Sequence, residues 1–301
     1  MLIAAPIAAA LRRGWFIARR KPLGSVAVLV LLTMALAAIF AAQVAPHDPL
    51  AQDIPNRLKP PGGDFLFGTD SFGRDTFSRV IHGARVSAYV GGLSVVLATV
   101  VGVFTGIASA YLGGKLDLVL QRVVDTLIAF PSLVLALVMV AILGPSLNNI
   151  VAAITIALAP QVARVARSQA FSVKQETYVS AAVSIGARPL RIMLRHILPN
   201  SLAPIVIQAS GYLEQAVVAE AALSFLGLGV PPPFPSWGRM LQEGAQGYME
   251  VAPWLILFPG LALALAVFSF AVIGDALRDL LDPRMPLGSP RVQRIDRVTR
   301  R

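Results

Sequence analysis

Few side chains in this sequence stand where they could do chemistry. Glu214 and Glu220 interrupt one apolar run, and Arg122 and Asp125 lie near the end of another. A polar stretch at 164–200 gathers Arg188, Arg191, Arg195 and His196. An ionised group inside a membrane-spanning run is costly, so it faces a cavity, a pathway or a partner. Glu214 and Glu220 are six residues apart and point to different helix faces, so they cannot share one stripe. At least one is expected to line a translocation path and help accommodate a cationic or peptide solute; the competing expectation is structural hydrogen bonding. Arg122 and Asp125 are three apart, the spacing of a local ion pair.

The chemistry excluded is broader. A phosphate-cradling loop needs Gly, four residues, then Gly-Lys-Ser/Thr. Gly114-Lys115 is the nearest approach, but position 109 is Ser and position 116 is Leu. There is no His-Glu-x-x-His helix and no Gly-x-Ser-x-Gly elbow. The absence of Cys removes thiolate metal sites, disulfides and a cysteine nucleophile, and three scattered His do not make a metal cluster. The chain is therefore expected not to be an enzyme and to bind no cofactor itself. If ATP drives it, hydrolysis takes place on another chain.

The elements that must position these residues are membrane spans. Apolar residues make up 56% of the 301 positions and charged residues 14%, against about 25% charged in a soluble domain. The expected fold is an all-α polytopic membrane protein with six transmembrane helices. An N-tail, 1–24, precedes a first span at 25–45, too long for a signal-peptide core and read as uncleaved. Residues 46–85 form a polar, proline-rich segment ending in a surface helix. Asp70 is the expected N-cap there, and Asp70 with Arg74 and Asp75 with Arg79 are i, i+4 pairs. The core, 86–280, holds spans two to six, and 281–301 is a basic tail.

Within that core, Ser94, Ala98, Gly102, Gly106 and Ala110 recur every fourth residue, a ridge that admits another backbone closely. Pro131 is expected to kink the third span, about 118–143. The fourth span starts near 150 and can continue past Pro160. Trp237 and Trp254 fit an interfacial aromatic belt.

The stretch 164–200 reads as a helical hairpin. Phe171, Tyr178, Ala182 and Ile185 share a face, Gly186 ends the first helix, and Pro189 suits the first position of the second. Leu190, Met193, Leu194 and Ile197 give the second helix its apolar face, and Pro199 is expected to close the unit, with Asn200 or Ser201 capping the fifth span. Small residues from Ser180 to Gly186 would admit a partner, and the arginines could meet an acidic rim. Such a hairpin can act as a lever. Twenty of the 26 Lys and Arg fall on its side of the expected topology and six on the other. The positive-inside rule then places the hairpin and both termini in the cytoplasm, and the basic excess requires no nucleic acid.

The hairpin resembles the EAA loop of permease subunits in ATP-binding-cassette importers: Ala181, Ala182, Gly186, Leu198 and Pro199 match in register, with Ser180 in place of the Glu and His196 in place of the Ile. Gly68-Thr-Asp-x-x-Gly-Arg-Asp75, Glu220-Ala-x-Leu-Ser-Phe-Leu-Gly-Leu-Gly229 and Pro232-Pro-x-Pro-Ser-Trp-Gly238 are similar to the C-type permease of dipeptide and oligopeptide importers. The resemblance covers roughly 20–285. It implies a type I importer permease in a bacterial inner membrane, paired with a homologous B-type permease, two cytosolic P-loop ATPases that hold ATP and Mg, and an extracytoplasmic substrate-binding protein. It also implies that the hairpin, through Ala181, Ala182, Gly186, Arg188, Arg191, Arg195, His196, Leu198 and Pro199, docks on an ATPase. Peptide is the implied substrate; nickel-importer permeases share the pattern, so nickel or another small solute is the alternative. A different class, an ATP-independent channel or carrier, would need charge relays or broken helices, and the hairpin argues against it.

Overall fold

The computed structural model describes residues 22–281; the tails expected in the cytoplasm lie outside the described residues, apart from their innermost positions. Helix α1, Pro22–Ile39, bends at Phe40 into the short α2, Ala41–Val44. Together they occupy the expected first span. The polar segment that follows contains one 3₁₀ turn, Ile54–Asn56, and two isolated β-bridges.

Helix α3, Thr76–Leu112, is 37 residues long, about 55 Å at 1.5 Å per residue. The expected surface helix is thus no separate element but the first two turns of the second span. Its N-cap is Asp75, not Asp70: the Asp75 carboxylate accepts from the Ser78 N–H at 2.9 Å and the Ser78 hydroxyl at 2.5 Å. Asp70 instead closes the preceding loop, accepting from the N–H groups of Phe72 and Arg74. The bond from Arg74 Nε to Asp70, 2.6 Å, forms as its spacing suggests, whereas Arg79 turns away from Asp75 to Asp70 and Glu243.

Gly113, at φ +66°, reverses the chain into α4, Gly114–Ile128. Pro131 does more than kink the third span. Helix α5, Ser132–Leu143, leaves α4 at 93°. Proline donates no N–H and pushes the residue before it out of the helical region, so α4 ends at Ile128, with Ala129 as its C-cap, and a new helix starts beyond the break.

Helix α6, Leu147–Lys174, runs unbroken through Pro160 and includes Phe171, which belongs to this span and not to the hairpin. Helices α7, Thr177–Ser184, and α8, Pro189–Ile192, form the hairpin. A π-helical turn, Met193–Ile197, then joins α8 directly to α9, Leu198–Phe225. Pro199 therefore does not close the unit. The wider turn accommodates a residue without an N–H, and Asn200 and Ser201 cap nothing: their side chains bond back to the carbonyls of His196 and Ile197. Helix α10, Trp237–Ala245, and the last span α11, Trp254–Leu281, complete the chain.

Among the described residues, α3, α6, the continuous Pro189–Phe225 helix and α11 are long and apolar enough to cross a membrane. The bent α4–α5 pair is long and apolar enough only when its two halves are taken as one span, which brings the number to five, and α1 is a shorter apolar helix. The core sits between α3 and α6, which run parallel. Ser94, Ala98, Gly102, Gly106 and Ala110 are all buried, and the Ser94 hydroxyl reaches the Val151 carbonyl of α6. A Cβ on Gly106 would stand 2.4 Å from the Ala163 carbonyl oxygen, so the ridge is what lets the two backbones meet.

Candidate functional site

The hairpin projects from the end of the bundle that also holds the Gly113 turn. Gly186, at φ +78°, ends α7, and its N–H donates to the Val183 carbonyl at 2.9 Å. Pro189 opens α8. Val179, Ala182, Ile192 and Ile197 are buried against the core, which fixes the hairpin to its own chain. Leu190 and Leu194 lie on the other side, exposed, with Tyr178, Val183 and Ile185, the last 85% accessible. The expected inward face of the second helix was therefore rotated: the π turn carries Ile192 and Ile197 inward and leaves Leu190 and Leu194 outside. Ala181, Gly186, Arg188, Arg191, Arg195 and Pro199 are exposed, His196 and Leu198 half-buried. The His196 ring lies 6.4 Å from that of Tyr178. Ala182 serves packing and presents nothing outward.

Behind the hairpin, α6 is tied to its neighbours. Lys174 Nζ donates to the carbonyls of Ala110 and Tyr111, the last turn of α3. Arg167 grips Asp117 of α4 through two hydrogen bonds, 2.8 and 2.7 Å, while the Ser109 hydroxyl also bonds that carboxylate. Asp125 does not pair with Arg122; Arg164 of α6 donates to it at 2.7 Å. A tertiary partner thus replaces the local one.

The two glutamates of α9 have different fates. Glu220 is 0% exposed and held by the hydroxyls of Ser87 (3.1 Å), Ser224 (2.8 Å) and Ser236, which come from α3, α9 and the start of α10. It lines no open surface of this chain. Glu214 lies on the wall of a cavity of about 310 Å³ between α5, α6 and α9, opened where the third span bends at Pro131. Ser132 and Gln215 share that wall, and the remainder is apolar. Among the described residues no hydrogen bond or ion pair reaches the Glu214 carboxylate, and no Lys or Arg lines this cavity.

Residues 98–286 match the family described as the binding-protein-dependent transport system inner membrane component. The chain belongs to that family. Residues 10–61 match the N-terminal transmembrane domain of oligopeptide transport permease C. The permease is 42% identical over 267 residues to a dipeptide transport system permease of Alkalihalophilus pseudofirmus, covering 89% of this chain and 88% of that one. It is 39% identical over 272 residues to a glutathione transport system permease of Escherichia coli, covering 90% and 89%. Its fold is shared with the inward-facing MetNI methionine ABC transporter, at TM-score 0.52 and 20% identity over 66% of this chain and 96% of that one. The third span of the permease is broken, so a broken helix cannot serve to separate it from a channel or carrier. Family membership does: this is an ABC importer permease.

Sequence reading missed one cluster in the permease, at the end opposite the hairpin. Arg74 and Arg79 both donate to Glu243 Oε2, at 3.0 and 3.1 Å, and Arg239 pairs with its other oxygen at 3.4 Å. Arg79, 1% exposed, also lies 3.5 Å from Asp70. These contacts lock the 46–75 segment to α10. The Trp237 indole is buried beside them and donates to the Val80 carbonyl, so it serves this joint and not a lipid-facing belt. Arg239 standing four residues before Glu243 was the one local signal.

Proposed function

We propose that this permease forms half of a transmembrane route for di- and oligopeptides and receives its power stroke through the hairpin. The observation that carries the reading is the exposed apolar knuckle of Tyr178, Val183, Ile185, Leu190 and Leu194, ringed by Arg188, Arg191 and Arg195. A patch of this kind at a helical tip fits a groove with an acidic rim on another protein. The partners are a homologous permease, two cytosolic ATPases that hold ATP and Mg, and an extracytoplasmic binding protein. This chain binds no cofactor and performs no hydrolysis. It resides in a bacterial inner membrane with hairpin and termini in the cytoplasm, which the distribution of Lys and Arg supports.

Relatives named for dipeptides, di/tripeptides and glutathione support a peptide substrate. Glu214 then meets the cationic end of the peptide in the cavity at the Pro131 bend, since an unpaired carboxylate at mid-span demands water or a cation. Closure of the ATPases moves the hairpins and switches the paired permeases between inward-open and outward-open states.

The test is uptake by the reconstituted complex, given a panel of peptides of increasing length together with nickel. Peptide-stimulated ATP hydrolysis with peptide accumulation is expected. Nickel uptake without peptide uptake would overturn the substrate, and transport by this chain alone without nucleotide would overturn the mechanism.

A further inference from the structure

At the end of the bundle away from the hairpin, a second cavity of about 180 Å³ opens between α1, α3, α9 and α11. Leu31, Met34, Val217 and Phe270 form its walls. The polar groups that reach it are already engaged: the Ser87 hydroxyl donates to Glu220 and the Trp237 indole N–H to the Val80 carbonyl. An apolar cavity of this order stays dry and takes apolar guests. Ala35 and Ala88 are exposed at its mouth, so a guest enters from the surface of the bundle.

One cation stands at the rim. Arg85 adjoins Ala84, and its Nε donates to the carbonyl of Ala38; both alanines line the cavity. Its Nη2 donates to the Ile39 carbonyl at 2.8 Å, where α1 breaks. Two bonds to neutral carbonyls fix the guanidinium but do not neutralise it. Among the described residues no carboxylate pairs with Arg85. Tyr89, one helical turn deeper, is exposed on the same side of α3. The arrangement is a dry apolar slot with an oriented, uncompensated cation at its mouth, about ten residues into a helix that crosses the membrane.

We propose that this slot binds one phospholipid, its acyl chain inserted among α1, α3 and α11 and its phosphate on Arg85. A guanidinium with a free edge bonds phosphate strongly, and the low dielectric beside the apolar walls strengthens the contact. The lipid belongs to the leaflet opposite the hairpin, the extracytoplasmic one in the orientation proposed above. It bridges α1 to the rest of the bundle near the break in α1, beside the packing of Met34 and Ala38 on Ala84, Trp237 and Ala266. The proposal does not depend on the transported solute.

The test uses the full transporter complex, equilibrated with nanodiscs of phosphatidylglycerol in phosphatidylcholine, extracted, and analysed by native mass spectrometry for retained phospholipid. Arg85→Gln is expected to lower retention roughly tenfold, the loss of one charge-assisted hydrogen bond. Because Arg85 also holds α1, Ala88→Phe supplies an independent arm: it plugs the mouth, keeps the cation, and is expected to lower retention as well. Equal retention by the wild type and Ala88→Phe overturns the proposal. So does displacement of the lipid by inorganic phosphate alone, which would make Arg85 a simple anion site. Capture of the partner permease in place of lipid by a photocrosslinker at position 88 overturns it too.

Discussion

Arg167 holds Asp117 by two parallel hydrogen bonds, Nε to Oδ1 at 2.8 Å and Nη2 to Oδ2 at 2.7 Å. The pair joins α6, seven residues before its end at Lys174, to the first turn of α4. Any displacement of the hairpin therefore reaches the Gly113 turn through a fork that resists rotation, and the two bonds from Lys174 to the end of α3 act beside it. Motion at the hairpin tip would then move three spans at once.

Arg167→Lys keeps the charge and loses the fork. Because both side chains are partly exposed, the stability cost is small, about 1 kcal/mol or less. The larger expected effect is on coupling: basal ATP hydrolysis by the complex persists while its stimulation by substrate falls severalfold. Equal stimulation in wild type and Arg167→Lys would show that the joint does not transmit.

Gly186 is a backbone requirement with open space around it. An added Cβ meets nothing within 4 Å, yet φ of +78° is disfavoured for any residue with a side chain. Gly186→Ala is expected to cost about 1 kcal/mol locally. Gly186→Trp carries the same strain and adds bulk at the exposed tip, so it should abolish ATPase docking while membrane insertion and folding persist. Pull-down of the ATPases by the two variants separates strain from bulk; equal capture by both removes the tip from the interface.

Glu214 and Glu220 are chemically identical and six residues apart, and their surroundings assign them opposite phenotypes. Glu214→Gln leaves thermal stability within about 0.5 kcal/mol of wild type, as expected for a side chain without partners, and lowers peptide uptake. Glu220→Gln replaces an acceptor of three serine hydroxyls by an amide with one acceptor oxygen, costing about 1–3 kcal/mol. Thermal unfolding of the purified complex, run beside uptake, distinguishes them. Normal uptake in Glu214→Gln would take this carboxylate off the solute's route.

What the sequence made legible was local. The every-fourth-residue ridge of α3, the glycine at the hairpin tip and the start of α8 at Pro189 all depend on spacing within one helix or turn, and periodicity reports such features directly. What it hid was pairing across the chain. Spacing alone pairs Asp125 with Arg122, three residues away, whereas its partner Arg164 is 39 residues away. Pro131 marked a break, but the 93° turn also reflects how α4 and α5 each pack on α6. The hairpin's inner face was misplaced because a π turn adds a residue to the helical repeat, and no composition rule signals it.

The longest-range ion pair among the described residues gives the last prediction. Glu243 receives Arg74 and Arg79 from positions more than 160 residues earlier, and Arg239 from its own helix. One carboxylate thus contacts three guanidiniums, and the two that are almost fully buried are shared with Asp70. Glu243→Gln keeps the shape and removes the charge, leaving Asp70 to compensate the buried arginines alone. Breaking a buried pair from one side strands the remaining charge, so a loss of about 3 kcal/mol is expected, with the 46–75 segment released from α10. Limited proteolysis on the side of the membrane opposite the hairpin should then cut within 46–75 in the variant and not in the wild type. Arg79→Met with Glu243→Gln removes an uncompensated charge along with its partner and should recover part of the protection. If the double variant is as readily cleaved as Glu243→Gln, stranded charge is not the cause of the release, and the joint is held by packing of Trp237 against α3 instead.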